Sequence, residues 1–201
     1  MRIAIVIFDG FDELDAIGPY EVLRNAAQGG TPVETLLVTR EPAELVTGSH
    51  GLAVQPQAVL EDGFDLVLVP GGGWNDRAEA GAWAEAQRGA LPALLGQLHA
   101  AGTRMASVCT GAMLLASAGI TRGRPAATHH GAHAALAESG ALLIDARVVD
   151  DGDLVTAAGV TSGIDLALWI VEREWGSALA DAIACEMEHE RRGEVHRAAR
   201  A

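Results

Sequence analysis

The sequence predicts an α/β fold: a mostly parallel sheet with helices on both faces. Short continuous apolar runs rich in β-branched residues, such as Ile3–Phe8 and Phe64–Val69, have the pattern of strands buried on both faces. Amphipathic helical segments lie between such runs, and strands alternating with helices at this spacing imply crossovers within one sheet. The chain has 201 residues, 49% hydrophobic and 20% charged. That is enough for one substantial core and too little for two full-sized domains. Residues 1–201 are therefore read as a single domain with a charged tail from about residue 189, expected to fray from Arg191. Aromatics are only 4%, so Val, Leu, Ile and Ala must build the core.

Ile3–Phe8 is the first strand. The acidic loop Asp9–Asp15 leads to Gly18-Pro19, where Pro19 suits the first position of a helix. Val22, Leu23, Ala26 and Ala27 continue its apolar stripe, and Gly29-Gly30 ends it. Val33–Thr39 is a strand, Leu52–Gln55 a short extra one, and Phe64–Val69 a buried strand stopped by Pro70-Gly71-Gly72-Gly73. A helix spans Trp83–Ala100, with Leu91, Leu94, Leu95 and Leu98 on one side. Thr103–Val108 is a strand and Thr110–Ala118 a helix. After a turn at Arg122–Pro125 come a brief strand at Ala126–Thr128 and a helix around Gly131–Glu138. Arg147–Asp150 and Leu154–Ala157 flank Asp151-Gly152, a hairpin signal. Thr161–Glu174 and Ser177–Glu188 are amphipathic helices.

A formal net charge of −13 repels nucleic-acid phosphates and anionic membrane surfaces alike. No apolar run approaches the ~20 residues that span a bilayer. The first ten residues lack a signal-peptide cleavage pattern, so the expected location is the cytoplasm. Two cysteines make no disulfide framework, and each needs its own account.

Ligands of open parallel sheets bind outside the carboxyl ends of the strands. Asp15, Gly71–Gly73, Cys109 and His129 all follow strand ends and converge there. Ser107 and Gly111 place small residues two before and two after Cys109, the spacing of a nucleophile elbow running from strand to helix. The N–H groups of that helix are expected to lower the thiol pKa. Cys185 lies within a helix near Ala182, Ile183 and Met187 and is expected to pack in the core.

Pro70-Gly71-Gly72-Gly73 has no Lys-Ser or Lys-Thr after it, so nucleotide binding is not expected. It is either a tight turn or a source of backbone N–H groups that, with the amide of Cys109 or Thr110, form an oxyanion hole. Asp15 is either a helix-capping carboxylate or a carboxyl whose apolar flanks raise its pKa for proton transfer. His129, His130 and His133 lack a third-ligand pattern for zinc, and no metal is expected. His129 or His130 is either a structural histidine or a partner that orients or neutralises Cys109.

Leu14-Asp15-Ala16-Ile17-Gly18-Pro19, Val69-Pro70-Gly71-Gly72, Ser107-Val108-Cys109-Thr110-Gly111-Ala112, Ala127-Thr128-His129 and Gly159-Val160-Thr161-Ser162-Gly163-Ile164-Asp165 occur in this order. Together they resemble the ThiJ/PfpI superfamily, also called DJ-one/PfpI, from Ile3 to about Gly176. The resemblance implies a flavodoxin-like, class I glutamine amidotransferase-like fold, usually a homodimer, with Cys109 as nucleophile. It is closest to isocyanide hydratases and to the sensor half of certain AraC-type regulators, which tend to carry an aspartate where Asp15 stands. The regulators also need an appended helix-turn-helix region, which is not expected in the stretch after Gly176, as it is neither long nor basic enough to form one. The hydratase resemblance implies a small-molecule substrate and no cofactor. Cys109 and Asp15 would convert an isocyanide to an N-substituted formamide through a thioimidate, with Gly72 and Thr110 positioning and His129 in support. Glyoxalase, deglycase or hydrolase chemistry on reactive carbonyls, and non-enzymatic redox or ligand sensing through Cys109, are the alternatives the superfamily holds open.

Overall fold

The structure, a computed structural model, describes residues 1–198. Its central sheet has eight strands: β1 (Arg2–Val6), β2 (Glu34–Thr39), β3 (Ala58–Val59), β4 (Leu66–Val69), β5 (Arg104–Ser107), β6 (Val148–Asp150), β7 (Leu154–Ala157) and β8 (Val195–Arg197). Their spatial order is β8-β6-β7-β5-β4-β1-β2-β3. Pairing is parallel from β7 through β3, while β6 turns back antiparallel to β7 and carries β8 parallel to itself. The predicted hairpin at Asp151-Gly152 is the β6–β7 connection. The strand interiors are apolar because both faces are covered: Ile3, Ala4, Ile5, Leu66, Val67 and Leu68 are fully buried.

The chain steps from β1 to β2 in one direction and from β4 to β5 in the other, so right-handed crossovers put their helices on opposite faces. One layer is α1 (Glu13–Gln28), α6 (Ser162–Trp175) and α7 (Ser177–Glu186), packed on each other. The other is α2 (Ala82–Arg88), α3 (Ala90–Ala100), α4 (Gly111–Ser117) and α5 (His133–Glu138). The reversal between β1 and β4 is the topological switch point, where the loops on each side part and leave a crevice.

Several elements differ from the sequence expectation. Helix α1 starts at Glu13 because Asp12 caps it, its side chain accepting the Leu14 N–H at 3.2 Å. Pro19 therefore sits inside the helix, where its missing N–H leaves the Asp15 carbonyl without an i+4 donor. The helix expected over Trp83–Ala100 is broken in two by Gly89, whose φ of 74° is left-handed. Short strands at Val46–Thr47, Ala58–Val59 and Leu142–Leu143 carry too few residues to show a period. Cys185 is exposed rather than in the core, because Ala180, Ile183 and Ala184 take the inward face of α7. The charged tail does not simply fray: Val195–Arg197 adds β8 beside β6, covering what would otherwise be an open edge. Residues 199–201 of that tail lie outside the described residues. Among the described residues no helix is long and apolar enough to cross a membrane.

Candidate active site

Strand register brings the loops together. Val69 pairs with Ser107, so the residues that follow β4 and β5 emerge side by side. The loop after β1 is tied to them by the Asp12 N–H, which donates to the Gly71 carbonyl at 2.8 Å. A cavity of about 200 Å³ opens at this point, and Cys109 stands in its wall with Asp12, Gly72, Trp74, Thr110, His129 and Val160.

Cys109 has a φ of 56°, unusual for a residue with a Cβ. Such strain persists only where the surroundings over-determine it, and here they do. The Cys109 N–H donates to the Ala158 carbonyl at 3.0 Å, and its own carbonyl accepts the buried Thr128 hydroxyl at 2.8 Å. Gly111 makes the elbow possible, since a Cβ there would collide with the Val69 carbonyl oxygen. Gly72, with a φ of 120°, is equally constrained: a Cβ would meet the Gly10 carbonyl and the Asp12 amide.

Backbone N–H groups of Val160 and Thr110 favour the thiolate, and only Thr110 belongs to the start of the following helix, but they do not decide the protonation of the sulfur. Burial first, and the neighbouring Asp15 charge second, push the Cys109 thiol up to about 12. The thiol of the free protein is protonated at neutral pH, contrary to the expectation of a thiolate. Desolvation of a 6% exposed sulfur outweighs two backbone donors and a seven-residue helix.

Asp15 lies beneath the pocket with no exposed surface. Its Oδ2 accepts the Gly71 N–H at 2.9 Å; its Oδ1 is buried without a full hydrogen-bond partner, and the Cys109 thiol is the side chain beside it. Burial, reinforced by Asp12, pushes its carboxyl up to about 8. The cap is Asp12, so Asp15 is the proton-holding carboxyl of the two sequence alternatives.

The expected roles of Gly72 and the Cys109 amide in an oxyanion hole need correction. The Gly72 N–H donates to Thr110 Oγ1 at 3.0 Å and the Cys109 N–H is taken by Ala158, so neither is free. Gly72 instead fixes the Thr110 hydroxyl, whose own proton stays available for another acceptor. His129 lines the cavity but touches neither Asp15 nor the sulfur through a hydrogen bond; its Nδ1 accepts the Gly131 N–H at 3.1 Å. Burial and the nearby His130 and His133 hold its pKa below the usual histidine value, so the ring is neutral and carries no charge to offset a thiolate. Among the described residues no group of three or more His, Cys, Asp or Glu converges as metal ligands.

The DJ-1/PfpI family profile matches residues 1–173, most of the chain. The chain belongs to the DJ-1/PfpI family. An isonitrile hydratase of Pseudomonas putida is 34% identical over 191 residues, covering 94% of this chain and 78% of the relative. A deglycase of Pyrococcus abyssi is 29% identical over 161 residues, covering 78% of this chain and 89% of the relative. Among solved structures, a ThiJ/PfpI family protein of Pseudomonas syringae superposes with a TM-score of 0.84 at 28% identity, covering 96% of this chain and 76% of that one.

The sequence places Gly71 only within a turn or oxyanion-donor run, and assigns no role to Thr128, Val160 or Trp74 of this DJ-1/PfpI site. Gly71 holds Asp15, Thr128 clasps the elbow, Val160 donates to the sulfur at a φ of 37°, and Trp74 forms the aromatic wall against Trp83 at 5.1 Å. The motif around Val160 was readable, but a β-branched residue at positive φ is the opposite of what propensity predicts.

Proposed function

We propose that the chain is a cysteine-dependent hydratase that adds water to an isocyanide and releases an N-substituted formamide. The observation that carries this reading is the buried pair itself. Asp15, with its pKa pushed to about 8, holds a proton at neutral pH beneath the small pocket walled by Trp74, beside the Cys109 thiol that stands in the pocket wall. An isocyanide carbon needs a soft nucleophile and a proton delivered to the same atom, which this pair supplies. The kinship with isonitrile hydratase supports the same substrate class.

In the first half-reaction the sulfur forms a bond to the isocyanide carbon. The thiol proton passes to Asp15 Oδ1 while the carboxyl gives its proton to that carbon, leaving a thioimidate and a neutral Asp15. The N–H groups of Val160 and Thr110 support the sulfur while negative charge builds on it. In the second, water adds to the thioimidate carbon with Asp15 relaying its proton to nitrogen. The C–S bond breaks, the sulfur regains a proton, and the formamide leaves. The Thr110 hydroxyl, fixed by Gly72, donates to the developing charge at nitrogen.

The test is turnover of an aryl isocyanide followed by formamide formation, with Cys109→Ala in parallel. Turnover in the wild type and none in the variant is expected; absence of turnover in the wild type ends this reading. Likeness to a deglycase favours one second reading, attack of the same sulfur on a reactive carbonyl. Loss of methylglyoxal without added cofactor, dependent on Cys109, would support it.

A further inference from the structure

The segment that follows β7 holds Cys109 at two points. The Ala158 carbonyl accepts the Cys109 N–H at 3.0 Å, and the Val160 N–H hydrogen-bonds the sulfur. Val160 makes that second contact at a φ of 37°, in the left-handed region where a β-branched residue is strained. Glycine would adopt such a conformation freely, whereas valine stays there only if its surroundings hold it.

One residue grips this turn from both ends. The Arg147 carbonyl accepts the Ala158 N–H at 3.0 Å, which continues the β6–β7 ladder past the Val148–Ala157 pair. Its guanidinium reaches the far end. Nε donates to Asp165 Oδ2 at 2.8 Å, while a terminal nitrogen donates to the same oxygen and, at 3.3 Å, to the Thr161 hydroxyl. Thr161 follows Val160 directly, and Asp165 lies in the first turn of α6. The anchor is itself fixed from the other side. Asp165 is only 5% exposed, and its Oδ1 meets His189 Nε2 at 2.9 Å and accepts the Arg192 N–H at 3.3 Å. A planar fork with several donors is what lets one side chain hold a hydroxyl and a carboxylate together.

We propose that Arg147 is a positioning residue for Cys109, fixing Val160 at positive φ so that its N–H stays on the sulfur. Arg147 does not line the cavity around Cys109 and acts wholly through the 158–165 segment. Without its guanidinium, the Thr161 hydroxyl and one Asp165 oxygen lose their donor. The start of α6 is then free to shift, and Val160 relaxes to negative φ with its N–H turned away. The role rests on Cys109 as the reacting group and holds for any electrophile it attacks, so it does not depend on an isocyanide as substrate.

The test is alkylation of Cys109 by iodoacetamide at a fixed pH, read by site-resolved mass spectrometry, with the exposed Cys185 as the reference in the same molecule. A hydrogen bond to a charged group is worth roughly tenfold in thiolate, and the basicity gained on losing it returns about threefold in nucleophilicity. Arg147→Met therefore slows Cys109 about threefold against Cys185, and Arg147→Lys, which lacks the fork, falls between. A residue that only held the fold together would do the opposite, because loosening exposes the sulfur and speeds its labelling. Val160→Gly supplies the deciding background. Glycine needs no grip to stay at positive φ, so the slowing by Arg147→Met largely disappears there. Should Arg147→Met fail to fold, Thr161→Val removes one grip and leaves the ion pair, with a smaller slowing in the same direction. A Cys109 rate that is unchanged or faster in the folded variants, or an equal slowing with valine and with glycine at 160, overturns the assignment. Absence of isocyanide turnover leaves this measurement untouched, so the two proposals fail separately.

Discussion

The Asp15 carboxyl and the Cys109 thiol lie side by side, and the charge state of the first governs the second. After burial, ionised Asp15 is the largest cause that pushes the Cys109 proton up to about 12. The carboxyl is itself pushed up to about 8 by burial and by Asp12. Below that pH the carboxyl is neutral and the penalty it places on the sulfur is absent. The acid must therefore be protonated for its neighbour to act, and the two titrate as a unit.

One consequence is a falling alkaline limb. On the proposed mechanism, kcat/KM for an isocyanide declines above about pH 8 as Asp15 loses its proton. Asp15→Asn lowers the rate about 10²- to 10⁴-fold and removes that limb. A wild-type profile that stays level through pH 9 would contradict the relay.

The same carboxyl is a liability to the fold. Its pKa is raised from 3.8 to about 8, so its contribution to stability is full below 3.8 and is lost as the pH rises toward 8. Asp15→Asn, uncharged throughout, should gain on the wild type over that interval by up to about 6 kcal/mol, at about 1.4 kcal/mol per pKa unit. Urea midpoints of both proteins at pH 4, 6 and 8 measure the gain; a constant difference would rule it out.

Glu13 titrates with the opposite sign. Burial, the largest single influence, pushes its pKa up, but the His50 side chain and three backbone donors together outweigh it and lower the pKa from 4.5 to about 2. Its contribution is present above 4.5 and is lost as the pH falls toward 2. Glu13→Gln should cost about 1 kcal/mol at pH 7, discounted for the solvent around the pair. The gap between variant and wild type should narrow on acidification, with protease cutting at 48–52 increased at pH 7.

Gly111→Ala tests the elbow. A Cβ there meets the Val69 carbonyl oxygen, the acceptor of the Val108 N–H at 3.0 Å. Destabilisation above about 2 kcal/mol is expected, with loss of any selective reaction at Cys109. An alanine variant of wild-type stability would show that the turn can relax.

Much of this was legible in the sequence because it rests on periodicity and on glycine. The buried strands, the elbow spacing around Cys109 and the apolar flanks of Asp15 all bear directly on local geometry. What was hidden depends on the assembled neighbourhood. Nothing in Ser107–Ala112 reveals that the sulfur ends 6% exposed beside a carboxyl, which reverses the expected direction of its pKa. Pro19 drew the helix start downstream because the Asp12 cap lies within an acidic run where any carboxylate could serve. Gly72 looked like a free donor because sequence cannot show that Thr110 folds back onto its N–H. Cys185 was misplaced by apolar neighbours that do not share its face: Ile183, two residues away, lies more than half a turn round the helix, on the buried side.

The groups around the sulfur come from distant parts of the chain, Asp15 near its beginning and Thr128 and Val160 far beyond Cys109. A growing polypeptide carries Cys109 out of the ribosome well before the residues that clasp its carbonyl and cap its sulfur, at ~5–20 residues per second. Until they arrive, that thiol is chemically ordinary, with neither the strained backbone nor the buried acid at its side. Its special environment is complete only after Val160 has emerged and docked, and a slow-labelling Cys109 reports that this has happened.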